Sequence, residues 1–130
     1  MKAHECVSFL LIEDGKLLLE KRAEDKATDP GLNAIPGGHI ERGESQIQAL
    51  FREVKEELDV TPKTYQFLCS LYHPTKELQL IHYYVVNAWE GALRSLEAET
   101  VEWYPVSAAP IDIRADQVAL CEYQRVSRYL

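Results

Sequence analysis

Residues 37–60 constrain this chain more than any other segment, because apolar and acidic side chains each recur there at helical spacing. Ile47, Leu50, Phe51, Val54 and Leu58 repeat at three- and four-residue intervals. At the helical turn of about 100° per residue they fall within an arc of about 100°. Such a stripe must be covered, so a helix starting near Ser45 is expected to seat on a core. Glu53, Glu56 and Glu57 occupy the adjacent arc, since residues three and four apart lie one turn above another. Carboxylates about 4–5 Å apart repel by a few kcal/mol at an effective dielectric near 20. Only Arg52 and Lys55 stand close enough in sequence to offset this. A solvated acidic face explains an isolated Glu-Glu pair, whereas three carboxylates crowded beside a buried stripe favour a divalent cation.

The rest of the chain reads as strands around that helix. With 130 residues and 46% hydrophobic content, residues 1–130 suit one domain, since domains commonly run about 100–150 residues. Residues 6–12 are rich in β-branched and apolar side chains, Glu13-Asp14-Gly15 reads as a turn, and residues 16–20 return as a second strand, a hairpin pattern. Residues 22–33 are polar, contain Pro30-Gly31 and lack a period, so they form a loop long enough to serve function. Residues 65–72, 78–87 and 101–104 are further strands, and Ala119, Tyr123, Val126 and Leu130 mark a closing helix over residues 116–130. The expected class is α+β.

Composition excludes several functions. Twenty-one acidic against 14 basic residues give a net charge of -7, which repels duplex nucleic acid and anionic membrane surfaces. No apolar stretch approaches the roughly 20 residues that span a bilayer, and no basic segment leads into an apolar run at the N-terminus. Cys6, Cys69 and Cys121 are far apart and odd in number, so a reducing, cytoplasmic setting is expected. His4, His73 and His82 lack metal-ligand spacing.

The string Gly38, Glu44, Arg52-Glu53-Val54 and Glu56-Glu57, with its fixed gaps, resembles the signature of the Nudix hydrolases. One fixed position departs from that pattern: Asp59 stands where the family has glycine. Glycine there would cap the helix in the left-handed conformation, which aspartate visits less readily, so the helix end is in question while every carboxylate is kept. The resemblance implies a Nudix fold, a mixed sheet sandwiched between helices. It also implies Mg2+ or Mn2+ held by Glu53, Glu56, Glu57 and the carbonyl of Gly37. Arg52 would orient Glu53, and Glu44 would tie the preceding loop to the helix. Their plain alternatives are a surface ion pair and an acid near the helix start.

The chemistry so implied is attack of water on one phosphorus of a diphosphate, with Glu53 or an acid from a later loop as general base. Glu97, Glu99 and Glu102 lie in that later stretch, where the family often supplies an extra acid; Glu99 is the candidate there for a further metal ligand, against the plainer reading of a solvated acidic loop. Arg22, Gly38 and His39 are candidates for phosphate contact. The short chain and the Lys21-Arg22 strand end look most like MutT-type nucleoside triphosphate pyrophosphohydrolases, a reading in which Asp116 hydrogen-bonds a base and Tyr83 or Tyr84 lines its pocket. Otherwise Asp116 is an N-cap and a tyrosine is core. Pro74 sits near where ADP-ribose-cleaving members carry a proline, making that substrate, or a dinucleoside polyphosphate, the alternative. A non-catalytic sensing module would typically have lost box glutamates, and all are present here. Homodimers are common in the family.

Overall fold

The computed structural model describes residues 2–130. Its elements are β1 (His4–Glu13), β2 (Lys16–Lys21), β3 (Asn33–Ala34), β4 (Gly37–His39), α1 (Gln46–Leu58), β5 (Thr61–Pro74), β6 (Leu78–Glu90), β7 (Thr100–Pro105) and α2 (Arg114–Val126). Short 3-10 turns occupy Val106–Ala108 and Ser127–Tyr129. The first hairpin forms as its sequence suggests. Asp14 and Gly15 take φ of 52° and 71°, the left-handed pair that matches strand twist in a two-residue connection.

Strand β1 is the centre of the sheet. One edge runs parallel with β6 from His4↔Gln79 to Leu11↔Val86, and β6 pairs antiparallel with β5. The other edge is divided. Cys6, Val7 and Ser8 pair with β4, whereas Ile12 and Glu13 pair with β2, which carries β3 and β7. Between these pairings the sheet splays, and a cleft opens there, bordered by Ser8, Ala34, Gly37 and Gly38.

Both faces of the sheet are covered. Leu10, Ile12 and Tyr83 pack with Ala119 and Leu120 of α2, while Val7, Phe9 and Leu11 pack with Leu50, Val54 and Leu58 of α1. This explains why the middle of β1, Cys6 to Ile12, is apolar on both faces apart from Ser8. A mixed sheet between two helices is the α+β arrangement expected from sequence. Strands β5 and β6 extend beyond 65–72 and 78–87 because their polar ends also join the ladder. Among the described residues no helix is long and apolar enough to cross a membrane.

Helix α1 starts in a capping box: Gln48 N donates to Ser45 Oγ at 3.1 Å, and Ser45 N donates to Gln48 Oε1 at 2.9 Å. Its buried face is rotated from the expected stripe toward the acids. Ala49, Glu53 and Glu57 join Leu50, Val54 and Leu58 inside, which turns Ile47 outward to 36% exposure. Helix α2 begins earlier than 116, with Ile113 at the N-cap position and no side-chain cap. Asp116 is therefore not an N-cap. Burial of Ile113 and Ala115 with Ala34 starts the helix sooner, and its end at Val126 leaves Leu130 largely outside the stripe.

Asp59 adopts φ 60°, ψ 29°, and its N–H donates to Lys55 O at 3.0 Å. The helix thus ends where the family's glycine would end it, with the carboxylate 3.2 Å from Lys55 and 3.6 Å from Arg94. Relief of a left-handed cost of about 1 kcal/mol is offset by the larger entropy of an unfolded glycine, about 0.4–1 kcal/mol. Asp59→Gly should therefore keep its urea unfolding free energy within about 0.5 kcal/mol of the parent, whereas Asp59→Val should lose about 1–2 kcal/mol. A clear loss in the glycine variant would mean that the ion pairs hold this turn.

Candidate active site

The cleft has a volume of about 510 Å³. Helix α1 and β4 form one wall, and residues 22–29, after β2, form the other. Its centre is organised by Arg52. The guanidinium grips Glu44 in a two-pronged pair, Nε to Oε2 at 2.6 Å and Nη2 to Oε1 at 2.8 Å. It also donates from Nη1 to Glu53 at 2.8 Å and to Glu56 at 3.1 Å, and from Nη2 to the His39 carbonyl at 3.0 Å. Arg52 thus fixes the loop, β4 and two box carboxylates with one planar group. Its grip holds the Glu44 carboxyl down at about 2.

Glu53 is 8% exposed, and burial raises its carboxyl above the ordinary range against the pull of Arg52. It is seated against Gly38, where a Cβ would collide with the carboxylate. A Cβ on Gly37 would strike the Val7 carbonyl and Ser8. Both glycines are therefore required by close approach of β4 to its neighbours.

Glu57 is equally enclosed, at 7% exposure. It meets Glu20 of β2, a residue the sequence reading passed over, 3% exposed and within hydrogen-bonding reach. Burial pushes Glu20 to about 7 and Glu57 to about 8. The available signal was an acid ending the run Leu17-Leu18-Leu19 just before Arg22. Glu56 is more open and borders the cleft beside Arg52. The later loop contributes Glu97 rather than Glu99. Glu97 borders the cleft 4.0 Å from Lys26, and its charge helps raise Glu53 and Glu57. Glu99 points to the outside and pairs with Lys21 at 3.8 Å, because its backbone N–H is tied to the Lys21 carbonyl.

These donors are hard oxygens, suited to a cation of the magnesium type. Among the described residues no three acidic, histidine or cysteine side chains already converge to enclose a metal ion. The carboxylates border an open cleft, which matches the habit of magnesium to complete its shell with water and substrate oxygens. Buried acids held above their ordinary range are the further sign of fit, since a cation would stabilise their ionised forms.

The candidate substrate contacts divide. Arg22 borders the cleft, with Nε and Nη2 donating to the Thr28 carbonyl and hydroxyl at 3.0 and 3.3 Å. His39 also borders the cleft, its ring bonded to Glu77. Asp116 borders it too, but at 3% exposure. Its carboxylate accepts from Ile35 N at 3.0 Å and Tyr83 Oη at 2.6 Å, so its oxygens already serve the fold. Neither tyrosine lines a base pocket. Tyr83 is core, and Tyr84 lies under α1, donating to Gln46 at 2.7 Å. Lys26 and the Asp29–His73 pair, 2.9 Å apart, complete the wall; loop position alone gave no signal for them.

A family model described as the NUDIX domain matches residues 2–122. The chain is a Nudix hydrolase. This Nudix hydrolase is 30% identical over 129 residues to the CTP pyrophosphohydrolase of Escherichia coli (strain K12), covering 92% of this chain and 95% of the relative. It is 31% identical over 104 residues to the 8-oxo-dGTP diphosphatase of the same strain, covering 78% and 79%. Among solved structures it is similar to a MutT NUDIX hydrolase from Burkholderia pseudomallei, with a TM-score of 0.85, 26% identity and coverage of 94% and 98%.

The raised carboxyls of this Nudix hydrolase link stability to pH. Between the ordinary 4.5 and about 8 the folded protein binds more protons than the unfolded chain, so stability is lost as pH rises through that window. In a chelating buffer the melting temperature should fall from about pH 5 to about pH 8, and added Mg2+ should raise it most at the upper end. Melting curves with EDTA and with Mg2+ test this; a chelator profile that rises with pH contradicts it.

Proposed function

We propose that residues 1–130 act as one domain that hydrolyses a nucleoside triphosphate, ordinary or oxidised, to the nucleoside monophosphate and pyrophosphate in a Mg2+-dependent reaction. The observation that carries this reading is the placement of Glu53, Glu56, Glu57 and Glu97 around one cleft whose other wall presents Arg22 and Lys26. The names of two relatives, a CTP pyrophosphohydrolase and an 8-oxo-dGTP diphosphatase, support a triphosphate substrate. The free cysteines are consistent with a cytoplasmic enzyme.

Glu53, Glu56, Glu57, Glu97 and the Gly37 carbonyl would hold Mg2+, with Mn2+ as a substitute. When bound, the cation neutralises charge on the phosphate oxygens. Glu53, oriented by Arg52, accepts the proton of the attacking water. The water oxygen bonds to phosphorus as the phosphoric anhydride bond breaks, and the electron pair leaves with the departing phosphate group. Arg22, Lys26 and His39 meet the charged chain of the substrate, and the Gly38 backbone leaves room for it. Pro74, the residue that favours an ADP-ribose substrate, lines a separate groove with Leu71, Arg114 and Val118. That weakens the alternative.

The test is pyrophosphate release from nucleoside triphosphates and oxidised purine nucleotides, and formation of phosphomonoesters, revealed by a phosphatase, from ADP-ribose and dinucleoside polyphosphates, with and without Mg2+. Turnover of a triphosphate is expected. Glu57→Gln should lower Mg2+-dependent kcat by about 100-fold or more while melting no lower than the parent at about pH 8 in chelator. Full activity in that variant would remove Glu57 from the metal site.

A further inference from the structure

Strands β1, β6 and β5 set His4, Gln79 and His73 side by side in register. Gly38, which abuts Glu53, lies opposite Val7. The row at His4 is three positions away along β1, about 10 Å at a strand rise of about 3.3 Å per residue. One end of the cleft therefore carries the glutamates and the other carries Gln79 and His73, both of which border it. This separation leaves room for a ribose between a diphosphate at the first end and a ring at the second. Ile35 and Ile81 give the cleft an apolar floor against which a flat ring can pack.

Gln79 is 7% exposed, and its amide has a fixed sense. Nε2 donates to Glu77 Oε2 at 3.0 Å, and Glu77 is held in turn by the His39 ring. Turning the amide over would place Oε1 against a carboxylate, acceptor facing acceptor. Oε1 and the second N–H are left for a ligand. The neighbouring charged groups at this end, Glu77 and Asp29, are acceptors, and His73 Nε2 is taken by Asp29. An edge that offers an amino group is complementary to this surface, whereas a carbonyl at the same place leaves buried acceptors opposed.

We propose that Gln79 reads the base: Oε1 accepts from an exocyclic amino group while the free N–H donates to the adjacent ring nitrogen, so that cytosine or adenine is selected over uracil or hypoxanthine. Glu77 is the positioning residue that fixes the amide. The proposal rests on the nucleoside triphosphate reading above and narrows it to amino-bearing bases.

The experiment measures kcat/KM for CTP against UTP and ATP against ITP in the parent, Gln79→Met and Glu77→Ala. In parallel it measures equilibrium binding of CMP against UMP and AMP against IMP without turnover. The parent should favour the amino-bearing member of at least one pair by about tenfold or more, chiefly through KM. Gln79→Met should bring that ratio near one, and Glu77→Ala, altering a partly exposed side chain, should reduce it with the fold intact. Equal use of both members by the parent, or a parental ratio retained in a folded Gln79→Met, overturns the proposal. If no triphosphate is turned over, the functional reading fails. Monophosphate binding still decides the base: a preference lost in the variants supports the role of Gln79, and equal binding overturns it.

Discussion

Removing a carboxylate from water costs several kcal/mol unless a partner compensates it, and this fold encloses Glu53 and Glu57 at one opening and Glu20 beside Glu57. Each is 8% exposed or less. The compensation is unevenly shared. Arg52 reaches Glu53 and Glu56 and Arg22 reaches Glu20 at 3.5 Å, while burial still holds Glu20 and Glu57 toward their protonated forms. The side of the helix facing the cleft therefore carries uncompensated acid, which a divalent cation would complete. Everything else around the site keeps that incompleteness in place: the capping box that starts α1, the glycines that let β4 approach, and the two-pronged pair that closes the loop onto Arg52.

The opening itself follows from strand pairing. β1 is satisfied along one edge by a long parallel partner and along the other by two short ones. The gap between β4 and β2 is where backbone cannot pair continuously, so side chains from several elements line the space. The box carboxylates come from a helix, and the residues that face them across the cleft come from the loop after β2, a division that fixes the carboxylates on a regular element and puts the opposite wall on a loop.

Local signals made the helix, its Ser45 start, the first hairpin and the α+β class legible, because each depends on periodicity or turn chemistry within a few residues. The box carboxylates were legible as a set by their helical spacing. What sequence could not give were facts of distant packing. Glu20 of β2 meets Glu57 of α1, 37 residues further along the chain. Glu97 rather than Glu99 faces inward because the Glu99 backbone bonds to Lys21. Asp116 looked like a cap or a base contact, yet two hydrogen bonds across the structure, to Ile35 and Tyr83, occupy it. Asp59 broke a family rule in composition while obeying it in backbone geometry.

The parallel pairing of β1 with β6 also sets an order of events. β1 is made first on the ribosome, yet its long partner begins only at Leu78, after α1 and β5 have emerged. Contacts so far apart in the chain are slow to form, since loop closure precedes their reward. Until β6 pairs, the layer on which α1 seats lacks Tyr84 and Val86. The enclosure that raises Glu53 and Glu57 depends on α1 seating on that layer, so contacts distant in the chain, and not the helix alone, give the site its electrostatic character.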